Sequence, residues 1–235
     1  MPRSLADRRF IPQATIAMIA AACLWGCGSA GDKSVAASRD STPADAEFER
    51  GADKPPTPRM LYAAARILVL QNRDGEAQNV LRRLIREYPR VLPAYCDLAE
   101  LQMRHDHSDH AMVTLTAALN IDPKDPVLLN NLGMCHLLRD EPHKALERFM
   151  QASSAAPGSA RYRSNMAAAL GTLGRYEEAL ALYEQVIPSD EAHHNLSVLA
   201  QARGDLSRSV REEALARSAA PASRPGASSN KNLSK

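Results

Sequence analysis

The chain has 235 residues and a net charge of +2, a near-neutral balance that gives no electrostatic footprint for nucleic acid or for an acidic membrane surface. Apolar residues make up 45% of it but aromatic ones only 4%, so its apolar content is mostly Ala and Leu. That mixture is too poor in Val, Ile and Phe for a sizeable sheet, and it suits helices that pack through small side chains.

In chain order, Arg3, Arg8 and Arg9 precede an apolar stretch from Ile11 to Leu24 that is broken only by Pro12, Gln13 and Thr15. It is too short to span a membrane securely and reads as an export signal over residues 1–26. Leu24-Trp25-Gly26-Cys27 resembles the lipobox of bacterial lipoproteins, and the resemblance implies that Cys27 becomes the lipidated first residue of the mature chain. Cys23, after Ala20-Ala21-Ala22, is a second candidate, and the large aliphatic Leu24 three places before Cys27 favours the latter. An ordinary signal cleaved nearby is the other reading, and Arg8-Arg9-Phe10 hints at an arginine-pair export signal. Residues 27–58, rich in Ser, Ala, Asp and Pro, are predicted to be a disordered tether. About 30 residues of flexible chain have a typical end separation of roughly 30 Å. Gly28, not Asp, follows the cysteine; by resemblance to sorting in two-membrane bacteria this implies the outer membrane rather than the inner.

Beyond the tether, Pro89, Pro123 and Pro157 fall 34 residues apart, and small and large apolar residues recur between them at matching offsets. Small residues at Ala99, Gly133 and Ala167 mark the first helix of each predicted pair, and Ala77, Ala111, Ala145 and Ala179 mark the second. Leu81, Leu115, Phe149 and Tyr183 follow one turn later. The spacing predicts repeats at about 58–91, 92–125, 126–159, 160–189 and 190–218, followed by a disordered tail over 219–235. Asn195-Leu196 follows Asn165-Met166 by 30 residues instead of 34, which predicts a shortened second helix near Pro188. In the last pair Ser209 and Glu213 stand where Ala and a large apolar residue stand elsewhere, and they are expected to form a polar cap. The units resemble tetratricopeptide repeats, although Leu61, Tyr95, Leu129 and Arg163 replace the Trp at the first large position. The resemblance implies an all-α fold, a solenoid of four to five antiparallel helix pairs.

Chemistry is sparse. His105-Asp106-His107-Ser108-Asp109-His110 crowds metal-ligand side chains into six residues, but it falls on the predicted turn of the second repeat, where polar residues and a helix cap belong anyway. With no HExxH helix, CxxC pair, phosphate loop or nucleophile elbow, no catalytic residue, metal or cofactor is predicted, and the chain is not read as an enzyme. Cys96 and Cys135 stand at non-equivalent places, so a disulfide is not signalled and buried thiols are expected. Function is expected in the groove formed by the stacked first helices. Asn131, Asn165 and Asn195 recur there, either to hold the backbone of an extended peptide or to help the helices pack. Tyr62, Arg66, Cys96, Glu100, Met103, Asn130, Met134, Ser164 and Ala168 are expected to line the same surface.

The lipobox, the tether and the run from Leu132-Gly133 through Asn165-Met166 to Asn195-Leu196 resemble the repeat lipoprotein of tight-adherence (Flp) pilus assembly. In that family a short Pro-containing linker also precedes a final Asn-aliphatic helix, as Pro188 to Leu196 do here. The resemblance implies a non-enzymatic, lipid-anchored assembly factor on the periplasmic side of the outer membrane, whose partner is a secretin or pilus component. A general envelope adaptor for cell-wall or lipoprotein biogenesis and a metal-dependent enzyme are the alternative readings.

Overall fold

The computed structural model describes residues 55–220; the expected export signal, Cys27, most of the expected tether and the expected tail from residue 221 lie outside the described residues. Ten helices and no strands are found among the described residues, arranged as five consecutive antiparallel pairs. The pairs are α1 (Pro58–Leu70) with α2 (Asp74–Glu87), α3 (Leu92–Arg104) with α4 (Ser108–Leu119), and α5 (Pro126–Leu138) with α6 (Pro142–Ala155). They continue with α7 (Ala160–Thr172) and α8 (Tyr176–Tyr183), then α9 (Ser189–Ala202) and α10 (Leu206–Ala219).

Local chemistry sets the helix ends. Prolines occupy the first turn of α1, α3, α5 and α6, where no amide hydrogen is required. Thr57, Asp125 and Asp205 cap α1, α5 and α10 by accepting backbone amides. Each first helix closes with the same motif, in which the amide of Arg73, His107, Glu141, Arg175 or Asp205 donates back to the carbonyl of Leu68, Gln102, His136, Leu170 or Ala200. The residue just before that amide has positive φ in every case: Asn72, Asp106, Asp140, Gly174 and Gly204. Only Gly, Asn and Asp fill the five places, the residue types that tolerate the left-handed region. Between Gly174 and Gly204 the step is 30 residues instead of 34, so the backbone itself records the shortened repeat. The shortening falls on α8, which has eight residues against 14 in α6.

Packing follows the small-residue marks. Ala65, Ala99, Gly133 and Ala167 on the first helices and Ala77, Ala111, Ala145 and Ala179 on the second are all buried. Leu81, Leu115, Phe149 and Tyr183 fill the space beside them. An ideal Cβ built on Gly133 would stand 2.5 Å from the Phe149 ring, and one on Gly171 would stand 2.6 Å from Leu199. At the first large position Tyr95 donates its hydroxyl to the Pro89 carbonyl at 3.0 Å, and Arg163 donates to the Pro157 carbonyl at 2.7 Å. Arginine thus replaces an aromatic residue without leaving that carbonyl unmet.

A second set of contacts ties one turn to the next along an edge of the array. Asp74 meets Arg104 and His105, Asp109 meets Arg139, Glu177 meets Arg208, and Arg203 donates to the Thr172 carbonyl. The side chains of His105 and Asp109 are therefore engaged in turn-to-turn contacts.

The last pair is joined differently. Glu212 is buried on α10, with His193 Nδ1 and Arg208 Nε each 2.6 Å from its carboxylate. Glu213 faces His194 Nδ1 at 3.4 Å and accepts from the Ser197 hydroxyl at 3.2 Å. The expected polar cap at Ser209 and Glu213 needs a correction of place: both are half-buried, and the enclosed carboxylate belongs to Glu212. The rotation of α10 on α9 decides which of two adjacent glutamates points inward.

Replacing Gly133 with Ala should lower the melting temperature. The exchange favours an isolated helix by about 1 kcal/mol, but it forces the fully buried Phe149 ring aside, and overpacking of that kind costs about 1–3 kcal/mol. Thermal denaturation followed by circular dichroism checks the sign; an increase would show that Phe149 has room to move.

Candidate protein-binding face

The first helices lie side by side, and the 34-residue register sorts their shared face into columns. Tyr62, Cys96, Asn130 and Ser164 make one column and Arg66, Glu100, Met134 and Ala168 another. Between them run Ala63, Asp97, Asn131 and Asn165, joined by Asn195 across the shortened step.

Two contacts cross from one first helix to the next at the same separation of 35 residues. The Asn165 Nδ2 donates to the Asn130 Oδ1 at 2.6 Å inside the protein, and Tyr62 lies in electrostatic contact with Asp97. The Asn165 amide is thus engaged in helix packing, and its Oδ1, also buried, has no partner among the described residues. Asn131 and Asn195 remain half-exposed. One sequence position therefore serves packing at residue 165 and stays open to solvent at 131 and 195.

Four lining expectations are corrected by burial: Met103, Met134, Asn130 and Ala168. Met103 and Met134 belong to the core cluster around Phe149, and Asn130 is buried against Asn165. Helices on both sides close over these side chains. Tyr62, Cys96, Glu100 and Ser164 are half-buried and Arg66 is exposed, so they stay on the face, while Ala168 is buried.

Asp97 escaped the sequence reading because it is not Asn, yet the register places it in the Asn column, between Ala63 and Asn131. It gives the N-terminal half of the face its charge, together with Arg66, Glu100 and Arg104. Burial raises the Asp97 carboxyl above the usual carboxylate range, against the lowering effects of Tyr62 and Arg66. Burial likewise raises Glu100. The Tyr62 hydroxyl is pushed up to about 12, first by burial and then by Asp97. Toward the C-terminal half stand the half-buried Asn131, Ser164 and Asn195, and the register places the exposed His194, which faces Glu213, in the column of Ser164. Such a face offers acceptors and amide donors to an extended backbone, with carboxylates at one end.

Elsewhere the candidates for chemistry are structural. Among the described residues no group of three or more His, Cys, Asp or Glu side chains is placed to hold a metal ion. His107 and His110 stack edge to face at 5.6 Å. Cys135 is buried, and burial pushes its thiol up to about 12, while Cys96 is half-buried; neither is in a disulfide. No helix among the described residues is long and apolar enough to cross a membrane.

Paired helices with recurrent small residues and a shared polar face define a repeat-array scaffold for protein–protein interaction. Models described as "Tetratricopeptide repeat" match residues 125–192 and 59–90, and the fold is a tetratricopeptide-repeat solenoid. Among curated relatives, Protein O-mannosyl-transferase TMTC1 of Mus musculus is 27% identical over 138 residues, covering 57% of this chain and 15% of that protein. The chain spans no more than 16% of the length of the curated relatives it matches. Among solved structures, YrrB, described as a tetratricopeptide-repeat protein with an unusual peptide-binding site, aligns with a TM-score of 0.55 at 16% identity, over 76% of this chain and 93% of its own. PilF of Pseudomonas aeruginosa aligns with a TM-score of 0.54 at 15% identity, over 71% of this chain and 78% of its own. Both likenesses are likenesses of fold.

Two measurements test this face. Asn130→Ala strands a buried amide, so it should cost about 1–3 kcal/mol, and adding Asn165→Ala should cost less than the sum of the two single changes. Strict additivity in urea melts would mean the amides do not interact. Asp97 tests the electrostatics. Because its folded-state pKa is raised, the folded protein holds that proton more tightly and loses stability as pH rises from the ordinary Asp value of about 3.9 through the raised one. Asp97→Asn should therefore gain stability relative to the parent as pH climbs from about 4 to 7. A relative loss over that range would mean that Tyr62 and Arg66 outweigh burial.

Proposed function

We propose that the protein is a lipid-anchored scaffold on the periplasmic side of the outer membrane, attached through Cys27, that assists assembly or localisation of a Flp or type IV pilus or a related secretion machine. It acts by binding and has no catalytic role. The observation that carries the reading is the order of parts: a lipobox-like Leu24-Trp25-Gly26-Cys27, then a polar spacer, then a repeat array. The partner is a secretin or pilus component, held as an extended segment along the face of Asn131, Asn195, Tyr62, Arg66, Asp97 and Glu100.

Amide side chains bind extended backbone because each can donate and accept at once. The half-buried Asp97 and Glu100 carboxylates carry a desolvation cost that a basic partner side chain at that end would offset. A tether of about 30 residues gives the array roughly 30 Å of reach from the bilayer. The likeness to PilF is compatible with this assignment and bears on the fold alone.

A photo-crosslinking residue placed at Asn131 in the native envelope tests the reading, since that side chain is half-exposed whereas Met134 is buried. Mass spectrometry should identify a secretin or pilus component among the captured proteins, and Cys27→Ala should move the protein from the membrane to the soluble fraction. Capture of cell-wall enzymes would assign it instead to general envelope traffic. An unchanged membrane fraction for the Cys27 variant would remove the anchor.

A further inference from the structure

The first helix of the array leaves bare a face that the later first helices have covered. By the 34-residue register, Met60, Ala64 and Ile67 of α1 correspond to Ala94, Leu98 and Leu101 of α3 and to Leu128, Leu132 and Cys135 of α5. Those six later side chains are buried, and the three on α3 share one cluster with Leu81 and Leu84 of the preceding α2. On α1, by contrast, Met60 is 61% and Ile67 54% exposed, and Ala64 is exposed as well. The stripe extends to Leu70, the most exposed large apolar side chain of the helix. It is half of an inter-repeat interface whose other half, among the described residues, is absent.

The sequence just ahead of α1 carries the marks of that other half. In the second helices, the Ala, the large apolar residue and the closing proline are spaced by four and eight residues: Ala77, Leu81, Pro89; Ala111, Leu115, Pro123; Ala145, Phe149, Pro157. Ala44, Phe48 and Pro56 repeat this internal spacing one residue out of the 34-residue register, standing 33 residues before Ala77, Leu81 and Pro89, and Pro56 directly precedes Thr57, the cap of α1. Gly51 then falls at the place of Leu84, Ala118 and Ala152, where the residue meets the next first helix. Charge agrees. Residues 43–54 carry Asp45, Glu47, Glu49 and Asp53 against Arg50 and Lys54, whereas α1 carries Arg59 and Arg66 and no carboxylate.

We propose that residues 43–54 form an additional second helix, half a repeat, which docks on Met60, Ala64 and Ile67 of α1 with Phe48 in the place of Leu81, Leu115 and Phe149. The chain enters α1 from this segment over a link as short as the one between α2 and α3, so docking is a local event at high effective concentration. A second copy is the rival occupant. It would present either its own α1, which would set Arg59 and Arg66 against the same arginines, or its terminal helix α10, which exposes Leu206 and Val210 and carries Arg208, Arg211 and Arg217 with Glu212 and Glu213. Docking leaves residues 28–42 between Cys27 and the docked segment. For a chain anchored at Cys27, which rests on the proposal above, the reach falls to roughly 20 Å.

Hydrogen exchange on the full chain, read by mass spectrometry, tests the docking. Amides of residues 45–52 should exchange roughly tenfold or more slower in the parent than in Phe48→Asp, at every protein concentration. Ile67→Asp, at an exposed position, should release the same amides even though it lies outside the segment. Equal exchange in the parent and Phe48→Asp would overturn the proposal. So would protection of α1 that rises with concentration together with a dimer in sedimentation, since a second copy would then hold the face. Groove binding does not enter this readout, so its outcome is independent of the partner's identity.

Discussion

Two helices of a pair can approach closely only where neither carries a large side chain, and the array depends on that approach. Ala65 to Ala167 on the first helices and Ala77 to Ala179 on the second are buried in every full pair, and at Gly133 even a methyl group would collide with Phe149. Close approach brings the dispersion contacts of Leu81, Leu115, Phe149 and Tyr183 into range, and those contacts hold the pairs together. It also lets adjacent first helices lie side by side, so that their polar columns become one surface. The binding face is thus a by-product of the packing rule.

The turns convert this local rule into a regular stack. Each first helix ends through one left-handed residue and one back-donated amide, so the second helix leaves at nearly the same place each time. Exposed ion pairs such as Glu177–Arg208 then connect successive turns, and each contributes little on its own. Regularity ends in the fourth pair, where α8 has lost a turn, and beyond it α9 and α10 are joined by buried and half-buried polar contacts. Ser197 and Ser209 replace the small apolar pair there, and Glu212 is enclosed with two basic partners. A terminal unit needs specificity of pairing with less apolar surface to bury, and charged pairs supply direction more than stability.

At the N-terminal end of the face, Asp97 and Glu100 are held above the usual carboxylate range by burial, with Arg66 beside them; toward the other end stand the amides of Asn131 and Asn195, the Ser164 hydroxyl and His194 with its partner Glu213. The N-terminal half of the molecule also carries the bare stripe of α1.

The sequence by itself determined the helix pairs, their period, the close-contact residues and the shortened fourth unit, because each depends on side-chain size or backbone preference repeated at a fixed spacing. Prolines and small residues act locally, so their spacing reads directly as structure. What only the tertiary structure decided were the fates of equivalent positions. Asn131, Asn165 and Asn195 are indistinguishable by register, yet Asn165 is drawn inside by Asn130 on the neighbouring helix, a contact set by the separation and rotation of two helices. Met103 and Met134 lie on the expected helices but sink into the core, and Glu212 rather than Glu213 is enclosed, since a small helix rotation exchanges buried for exposed neighbours. Burial is a property of what lies across from a residue, and the partner across is fixed only when the pairs have stacked.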